Sequence, residues 1–567
     1  MIQNPGFIAE IISRSIITAE DYARLSVKHK GDDFSVLMHL FNGAARKKEE
    51  LGKLWSDSLG VAYVDLAKTL FQSNVVEKLP EKFARMQHVI PLYEMGDVVT
   101  VATSNPSDRS ILREAGNLLG RPVSPVFSFP GEIEDAISIQ YQSNSALGAL
   151  LGKISANSLF KSTSKISMEQ LRQLAGDQSI TELARCMMLL AVKERASDIH
   201  VEPGEEAVRI RFRIDGILHE RLKLDSTLLP PLVTRIKVLS NMDITERRRP
   251  QDGRMHLDLT NRSIDIRVSI IPILFGEKVV LRILGQTDVT DVPSLSDLML
   301  SRSVLDMVHR ILSYPHGVFF VTGPTGSGKT TTLYAALKHI NKPGSNIVTI
   351  EDPVEIRLPG INQVQVNRDV GLDFASALRA FLRQDPDVIL LGEIRDTETA
   401  KIAAQAALTG HLVLATMHTN DALQAVTRLI DIGVDPFLVA PSIIGTMAQR
   451  LVRRLCDGCK ERYRLSDEEA GSLFTMAPGQ EVYFHRARGC ERCSRTGYFG
   501  RIAVHEIFVI NDQVRTLIAR NPSIQDIKDF AARSGFQNLR YDGIKKVLRG
   551  LTTIEEIDRI TVFADEN

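Results

Sequence analysis

The stretch Gly317–Thr331, GVFFVTGPTGSGKTT, passes from an apolar run into a glycine-rich loop that ends in lysine and two threonines. Gly323 to Thr330 satisfies the pattern G-x-x-x-x-G-K-[ST], with a strand-like run before it and a helical run, TTLYAALKHI, after it. That strand–loop–helix setting removes most of the risk of a chance match. The glycines let successive backbone N–H groups turn inward toward an anion, and the following helix adds the partial positive charge of its N-terminus. Lys329 is placed to reach the β- and γ-phosphates, and the Thr330 hydroxyl to ligate Mg²⁺. Gly323, Pro324, Thr325, Gly326, Ser327, Gly328, Lys329, Thr330 and Thr331 therefore read as a nucleoside-triphosphate site.

Three further apolar runs, NIVTIED, DVILLGE and HLVLATM, alternate with helical segments downstream. Short strands apolar on both faces, separated by helices, predict an α/β core with a parallel sheet covered on both sides. Hydrolysis needs a carboxylate for the metal and a group to orient the attacking water. In such sheets these belong at the carboxyl ends of strands. Glu351, Asp352 and Glu355 follow the second strand, and Glu393 follows the third, with Gly392 expected to leave room beside the phosphates. His418 follows the fourth. Alone, His418 reads as a core or capping histidine; beside the acids it reads as a γ-phosphate sensor. Arg395 and Asp396 read as links from the site to its neighbours.

At 567 residues the chain suggests roughly three or four domains. With 69 basic against 69 acidic residues, no basic excess argues for direct nucleic-acid binding. No apolar run approaches the ~20 residues that cross a bilayer. The N-terminus lacks a basic segment followed by an apolar one, so a cytoplasmic protein is expected. Residues 1–142 mix helix and strand signals and read as a docking domain: LGKLWSDSLGVAYVDL predicts a helix, a stop at Gly60 and a short strand, and Gly96-Asp97 marks a hairpin. Trp55 is read as part of the surface that selects a partner. Residues 143–175, rich in Ser, Ala, Gly and Lys, have linker composition. Residues 176–290 open with a helix containing Cys186, read as a core residue, and continue in alternating strands. Arg209, Arg211 and Arg213 share one strand face, and Arg267 and Arg282 lie on two other strands. They read either as a solvated face or as guanidiniums aimed at a phosphate at a domain boundary. Residues 291–567 form the nucleotide-binding domain.

Cys456-Asp-Gly-Cys459 and Cys490-Glu-Arg-Cys493 give two CxxC knuckles, expected to form a Cys₄ site for Zn²⁺. The 30 residues between them exceed the usual gap of about 15 to 20, so an inserted lobe is expected over about 456–501, with Gly497 and Gly500 turning the chain home.

GPTGSGKTT, TIEDPVE, LRQDPDVILLGEIRD and TGHLVLATMHTN resemble the Walker A, Asp box, Walker B and His box of the secretion ATPase superfamily. The likeness is to the ATPases of type II secretion and type IV pilus assembly. ASDIHVEP, RIRFRIDG, RRRPQDGR and AQRLVRRLC extend it. The resemblance implies a RecA-like core with a tetracysteine zinc lobe, preceded by a PAS-like α+β second domain and an N-terminal docking domain. It implies Glu355 as general base, Glu393 in the Mg²⁺ sphere, His411 and His418 as the His-box pair, and Arg267 and Arg282 reaching the nucleotide. Arg379, Arg383, Arg395 and Arg428 match positions around the site or between subunits. It further implies a homo-hexamer that hydrolyses ATP at the cytoplasmic face of the inner membrane, acting on platform and docking proteins. A DNA-translocating relative and a non-hydrolysing nucleotide-gated adaptor are the competing readings; zero net charge opposes the first, and intact Glu355 and Glu393 oppose the second. No arginine-leucine-glycine start occurs in the first 60 residues, so no cyclic dinucleotide is expected there.

Overall fold

The structure, a computed structural model, describes residues 3–43, 48–67, 69, 71–142, 176–261, 263–284, 292–473 and 481–561. The stretch read as a linker, 143–175, lies outside the described residues. The chain forms two compact units, Met1–Asp288 and Val289–Asn567.

The first unit begins with the helices Pro5–Ser13, Ala19–Lys28, Asp33–Gly43 and Lys48–Ser58. Their common core is aromatic. Trp55 is 1% exposed, with Phe7 edge-on at 5.1 Å and Phe34 at 5.6 Å. Trp55 is thus a core anchor and not the partner-facing residue expected from the sequence, because burial of so large a ring is what holds four short helices together. Gly60 does stop its helix, in the left-handed region at φ 69°, but the strand expected after it reduces to one bridge between Tyr63 and Phe127. β1 (Val89–Met95) and β2 (Val98–Thr103) form the hairpin predicted around Gly96, and β3 (Val123–Phe127) adds in parallel to β2.

The same unit continues with helices Gln178–Lys193 and Leu229–Leu239 and a six-stranded antiparallel sheet. Its strands are β4 (Asp198–Pro203), β5 (Ala207–Ile214), β6 (Ile217–Asp225), β7 (Gln251–Asp258), β8 (Ser263–Ile273) and β9 (Gly276–Ile283), in the order β6-β5-β4-β9-β8-β7. Alternation along β5 sends Val208, Ile210 and Phe212 into the core with Cys186, and Arg209, Arg211 and Arg213 to the opposite face.

The second unit holds a seven-stranded sheet: β10 (Gly317–Thr322), β11 (Ile347–Glu351), β12 (Asn362–Gln365), β13 (Val388–Leu391), β14 (Leu412–Met417), β15 (Ile443–Leu455) and β18 (Tyr498–Val509). The order is β12-β11-β13-β14-β10-β15-β18, parallel throughout except that β18 runs antiparallel to β15. Phe319 and Val321 pack with the helices Arg302–Leu312 and Lys329–Ile340, while Val318 and Phe320 pack on the other face with Thr397–Leu408 and Pro436–Ser442. Two covered faces explain why GVFFVT carries no polar alternation. β16 (Lys460–Arg464) and β17 (Tyr483–Ala487) form a separate hairpin between the cysteine pairs, which is the inserted lobe. Among the described residues no helix is long and apolar enough to cross a membrane.

Candidate functional site

β10 runs directly into the glycine-rich loop, and Lys329 is the first residue of the following helix. Gly323 stands at φ 143°, and a Cβ there would meet the Gln449 carbonyl at 2.5 Å and Ser327 Oγ at 2.7 Å. Only glycine fits. Gly326 and Gly328 also sit at positive φ, 79° and 86°. Pro324, Thr325, Gly326, Thr330 and Thr331 are exposed, as a phosphate cradle requires, whereas Ser327 is buried with its Oγ unpartnered. Lys329 folds back on its own loop, donating to the carbonyls of Gly323 (2.8 Å) and Pro324 (3.0 Å). Burial pushes its ammonium pKa down, partly opposed by the Glu393 carboxylate. A desolvated ammonium among carbonyls, beside exposed turns of glycine, is a site that gains by receiving phosphate oxygens.

The three acids after β11 separate sharply. Glu351 is buried and accepts from Tyr334 Oη, from Thr349 Oγ1 at 2.6 Å and from Gln363 Nε2 at 3.3 Å. It is a structural acid that ties the loop's helix to the sheet. Asp352 pairs with Arg368 at 3.1 Å. Glu355 is exposed in the loop beyond. After β13, Glu393 Oε2 lies 2.6 Å from Arg395 Nε and 3.6 Å from Nε2 of His418, which follows β14. Burial, then the nearby Lys329 ammonium, holds the His418 imidazole pKa below its usual value. The ends of β10, β13 and β14 thus bring Lys329, Glu393 and His418 together.

Three expectations need correction. Gly392 leaves no room for phosphate: its missing side chain faces β11, where a Cβ would meet the Ile350 carbonyl at 3.2 Å and Glu351 Cα at 3.3 Å, so the glycine serves close strand packing. Asp396 does not reach outward; it caps the helix Thr397–Leu408, accepting from the Thr399 N–H at 2.8 Å. Arg395 bends back to Glu393 within its own site. His411 precedes β14, at the opposite end of the sheet, and its Nδ1 sits 2.9 Å from the Ala406 carbonyl. The six residues of β14, roughly 20 Å of strand, separate it from His418. Arg379 pairs with Glu398, Arg383 donates to the Arg379 carbonyl at 3.0 Å, and Arg428 is exposed.

In the first unit, Arg282 Nε donates to buried Asp198 at 2.8 Å and Arg211 to buried Glu202 at 2.7 Å. Simple solvation of this face is therefore the wrong description of Arg211 and Arg282. The register sets Arg254 opposite Arg267 and Arg267 opposite Arg282. Like charges facing across strands weaken a sheet, and Arg267 Nε is buried without a hydrogen-bond partner. The row is suited to an anion.

Two residues went unread in the sequence. Gln449 on β15 donates to the Ser327 carbonyl and accepts from the Thr332 hydroxyl, both at 2.7 Å, pinning the phosphate loop and its helix. Arg450 donates to the Asn420 carbonyl at 2.5 Å, just beyond His418. Adjacent polar residues inside AQRLV, otherwise an apolar strand, were the available signal.

The free thiols of Cys456, Cys459, Cys490 and Cys493 lie within 4.8 Å of one another, with Sγ–Sγ separations of 3.9 Å for Cys456–Cys490 and 3.8 Å for Cys459–Cys493 and Cys490–Cys493. Four thiolates on Zn²⁺ at ~2.3 Å in a tetrahedron stand about 3.8 Å apart, so the donor set fits. Burial pushes the Cys459 thiol up to about 12. The backbone N–H groups of Cys490 and Gly497 both point at Cys493 Sγ, at 3.2 Å. Gly497, at φ 78°, makes that turn and packs where a Cβ would strike Ala487.

A glycine-rich phosphate loop on a mostly parallel sheet, with acid and histidine at neighbouring strand ends, defines the P-loop ATPase class. Residues 173–559 match the family of Type II/IV secretion system proteins, and residues 59–146 match the MshEN domain. The chain is 44% identical over 489 residues to type II secretion system protein E of Dickeya dadantii, covering 85% of this chain and 97% of that protein. It is 36% identical over 557 residues to the type IV pilus assembly ATPase PilB of Myxococcus xanthus, covering 97% and 98% respectively. Among solved structures, the Legionella pneumophila ATPase DotB aligns at 22% identity and TM-score 0.49, over 67% of this chain and 95% of that one. The chain belongs to the type II/IV secretion system protein family and is an ATPase of that family.

Proposed function

We propose that this ATPase works as a homo-hexamer at the cytoplasmic face of the inner membrane, where ATP hydrolysis drives either type II secretion, through pseudopilus assembly, or type IV pilus assembly. The observation that carries the reading is the meeting of Lys329, Glu393 and His418 at the ends of three adjacent strands. In this reading Lys329 releases its loop carbonyls to take β- and γ-phosphate oxygens. Thr330 and Glu393 would hold Mg²⁺, which supplies charge neutralisation across those phosphates. Glu355 takes the proton of the attacking water, and His418, kept neutral by burial and by Lys329, reports on the γ-phosphate through Glu393. Arg267 and Arg282, with Arg254 beside them in the row, would supply guanidiniums to phosphate oxygens of the nucleotide. Nucleotide binding, hydrolysis and release convert turnover into work on the membrane platform. Relatives of both the secretion and the pilus kind support the choice of machine.

Solution mass measurement of the full chain with Mg²⁺ and a non-hydrolysable ATP analogue tests the assembly: a six-chain species is expected, and a monomer at every concentration overturns it. Cys456, Cys459, Cys490 and Cys493 would hold one Zn²⁺ that staples the β16–β17 hairpin to β15. Metal analysis is expected to give one zinc per chain. In Cys459→Ser that zinc is lost and the melting temperature falls, since binding energy at a structural zinc site is folding energy. Full-length protein purified without zinc and equally stable contradicts the site.

A further inference from the structure

Glu506 on β18 is 3% exposed, yet no part of the hydrolytic scheme uses it. One carboxylate oxygen accepts the Ala422 N–H at 2.7 Å, and the other accepts the Leu539 N–H at 2.9 Å. Ala422 lies four residues beyond His418. Leu539 is the first residue of the helix Leu539–Leu548, whose cap is Asn538. One buried side chain therefore spans two segments far apart in sequence.

The 419–422 segment is gripped at two further points from β15. Arg450 Nη2 donates to the Asn420 carbonyl at 2.5 Å, and Thr446 Oγ1 donates to the Ala422 carbonyl at 2.7 Å. Arg450 also lies against the phosphate loop, since its Nη1 would sit 3.1 Å from a Cβ on Gly323. On the other side, the helix is fastened to β18 by the His505 N–H, which donates to Asp542 at 3.0 Å, and by Lys546, which donates to the Ala503 carbonyl at 2.5 Å. Past its end, Lys460 beside the cysteine knuckle donates to the Gly550 carbonyl at 3.2 Å. Phosphate loop, His418 segment and C-terminal helix meet around Glu506. A buried carboxylate is a costly way to hold two amides unless both must stay held together.

We propose that Glu506 is a positioning residue that couples the His418 segment to the helix Leu539–Leu548, so that nucleotide state is transmitted to the C-terminal helices. This rests on the reading of His418 as the phosphate sensor. Glutamine at position 506 keeps one carbonyl oxygen but presents an NH₂ to the second amide. Leu539→Pro removes the Leu539 N–H at a first helical position, where proline is tolerated, and also shortens a side chain buried beside Val504 and Val547.

Hydrogen exchange of the 539–548 amides in the full chain, with and without a non-hydrolysable ATP analogue, is the test. In the wild type, nucleotide is expected to slow their exchange by about tenfold, the scale of one buried hydrogen bond. In Glu506→Gln and in Leu539→Pro that response disappears, kcat falls by about tenfold and KM for ATP stays within about twofold. No nucleotide response in the wild type overturns the proposal. So does a folded Glu506→Gln, or a folded Leu539→Pro if the first variant does not fold, that responds as the wild type does. His418→Ala separates the two readings: loss of the response supports both, whereas its retention removes the sensor role from His418 and leaves the Glu506 bridge acting through Arg450.

Discussion

Glu355→Gln is expected to bind ATP as the wild type does and to hydrolyse it at least about a hundredfold more slowly, the range for losing a general base. The substitution keeps the size and hydrogen-bonding reach of the side chain and removes only its capacity to take a proton. Geometry makes the assignment selective. Of the three acids after β11, Glu351 is committed to Tyr334, Thr349 and Gln363, and Asp352 to Arg368, whereas Glu355 stands exposed in the loop. Glu351→Gln is expected to act differently, lowering the melting temperature, because two buried hydroxyls and a partly buried amide lose the charge they point at. Steady-state phosphate release together with ATP affinity separates these effects. Near wild-type turnover in Glu355→Gln moves the base to another acid.

Lys329→Ala is expected to weaken ATP binding on the order of a hundredfold, since two charge-assisted contacts to phosphate are worth roughly 1.5 kcal/mol each. The ammonium is already desolvated and aimed by the Gly323 and Pro324 carbonyls, so binding exchanges partners for an existing charge and need not bury a new one. The alanine variant leaves those carbonyls without their donor, but Pro324 is exposed and the shortened side chain opens a path for water to the Gly323 carbonyl. Loss of affinity is therefore expected without loss of fold, measured by titration with a fluorescent ATP analogue and by circular dichroism. Unchanged affinity would remove Lys329 from the phosphate site.

Legibility from sequence followed the number of jobs each residue does. The β10–loop–helix unit was readable because both faces of the strand are apolar and the loop's glycines have no substitute. The cysteine knuckles were readable because their spacing encodes a local geometry. β12, NQVQ, escaped because an exposed edge strand needs no apolar pattern, and β15 escaped because Gln449 and Arg450 interrupt its run to serve the phosphate loop from a distant part of the chain. Trp55, Gly392 and Asp396 were misread for a common reason: each residue type is compatible with function, and only its neighbours in space show that it packs or caps instead. Glu506 left no sequence signal, because both of its partners are backbone amides.

The central claim is that this site turns ATP over to power an assembled ring. Phosphate release by the full-length chain, followed with Mg²⁺ and ATP as protein concentration is raised through assembly, tests it most directly. The account predicts Mg²⁺-dependent release that rises as the ring forms and vanishes in Glu355→Gln. A fully assembled ring that binds ATP and releases no phosphate contradicts it.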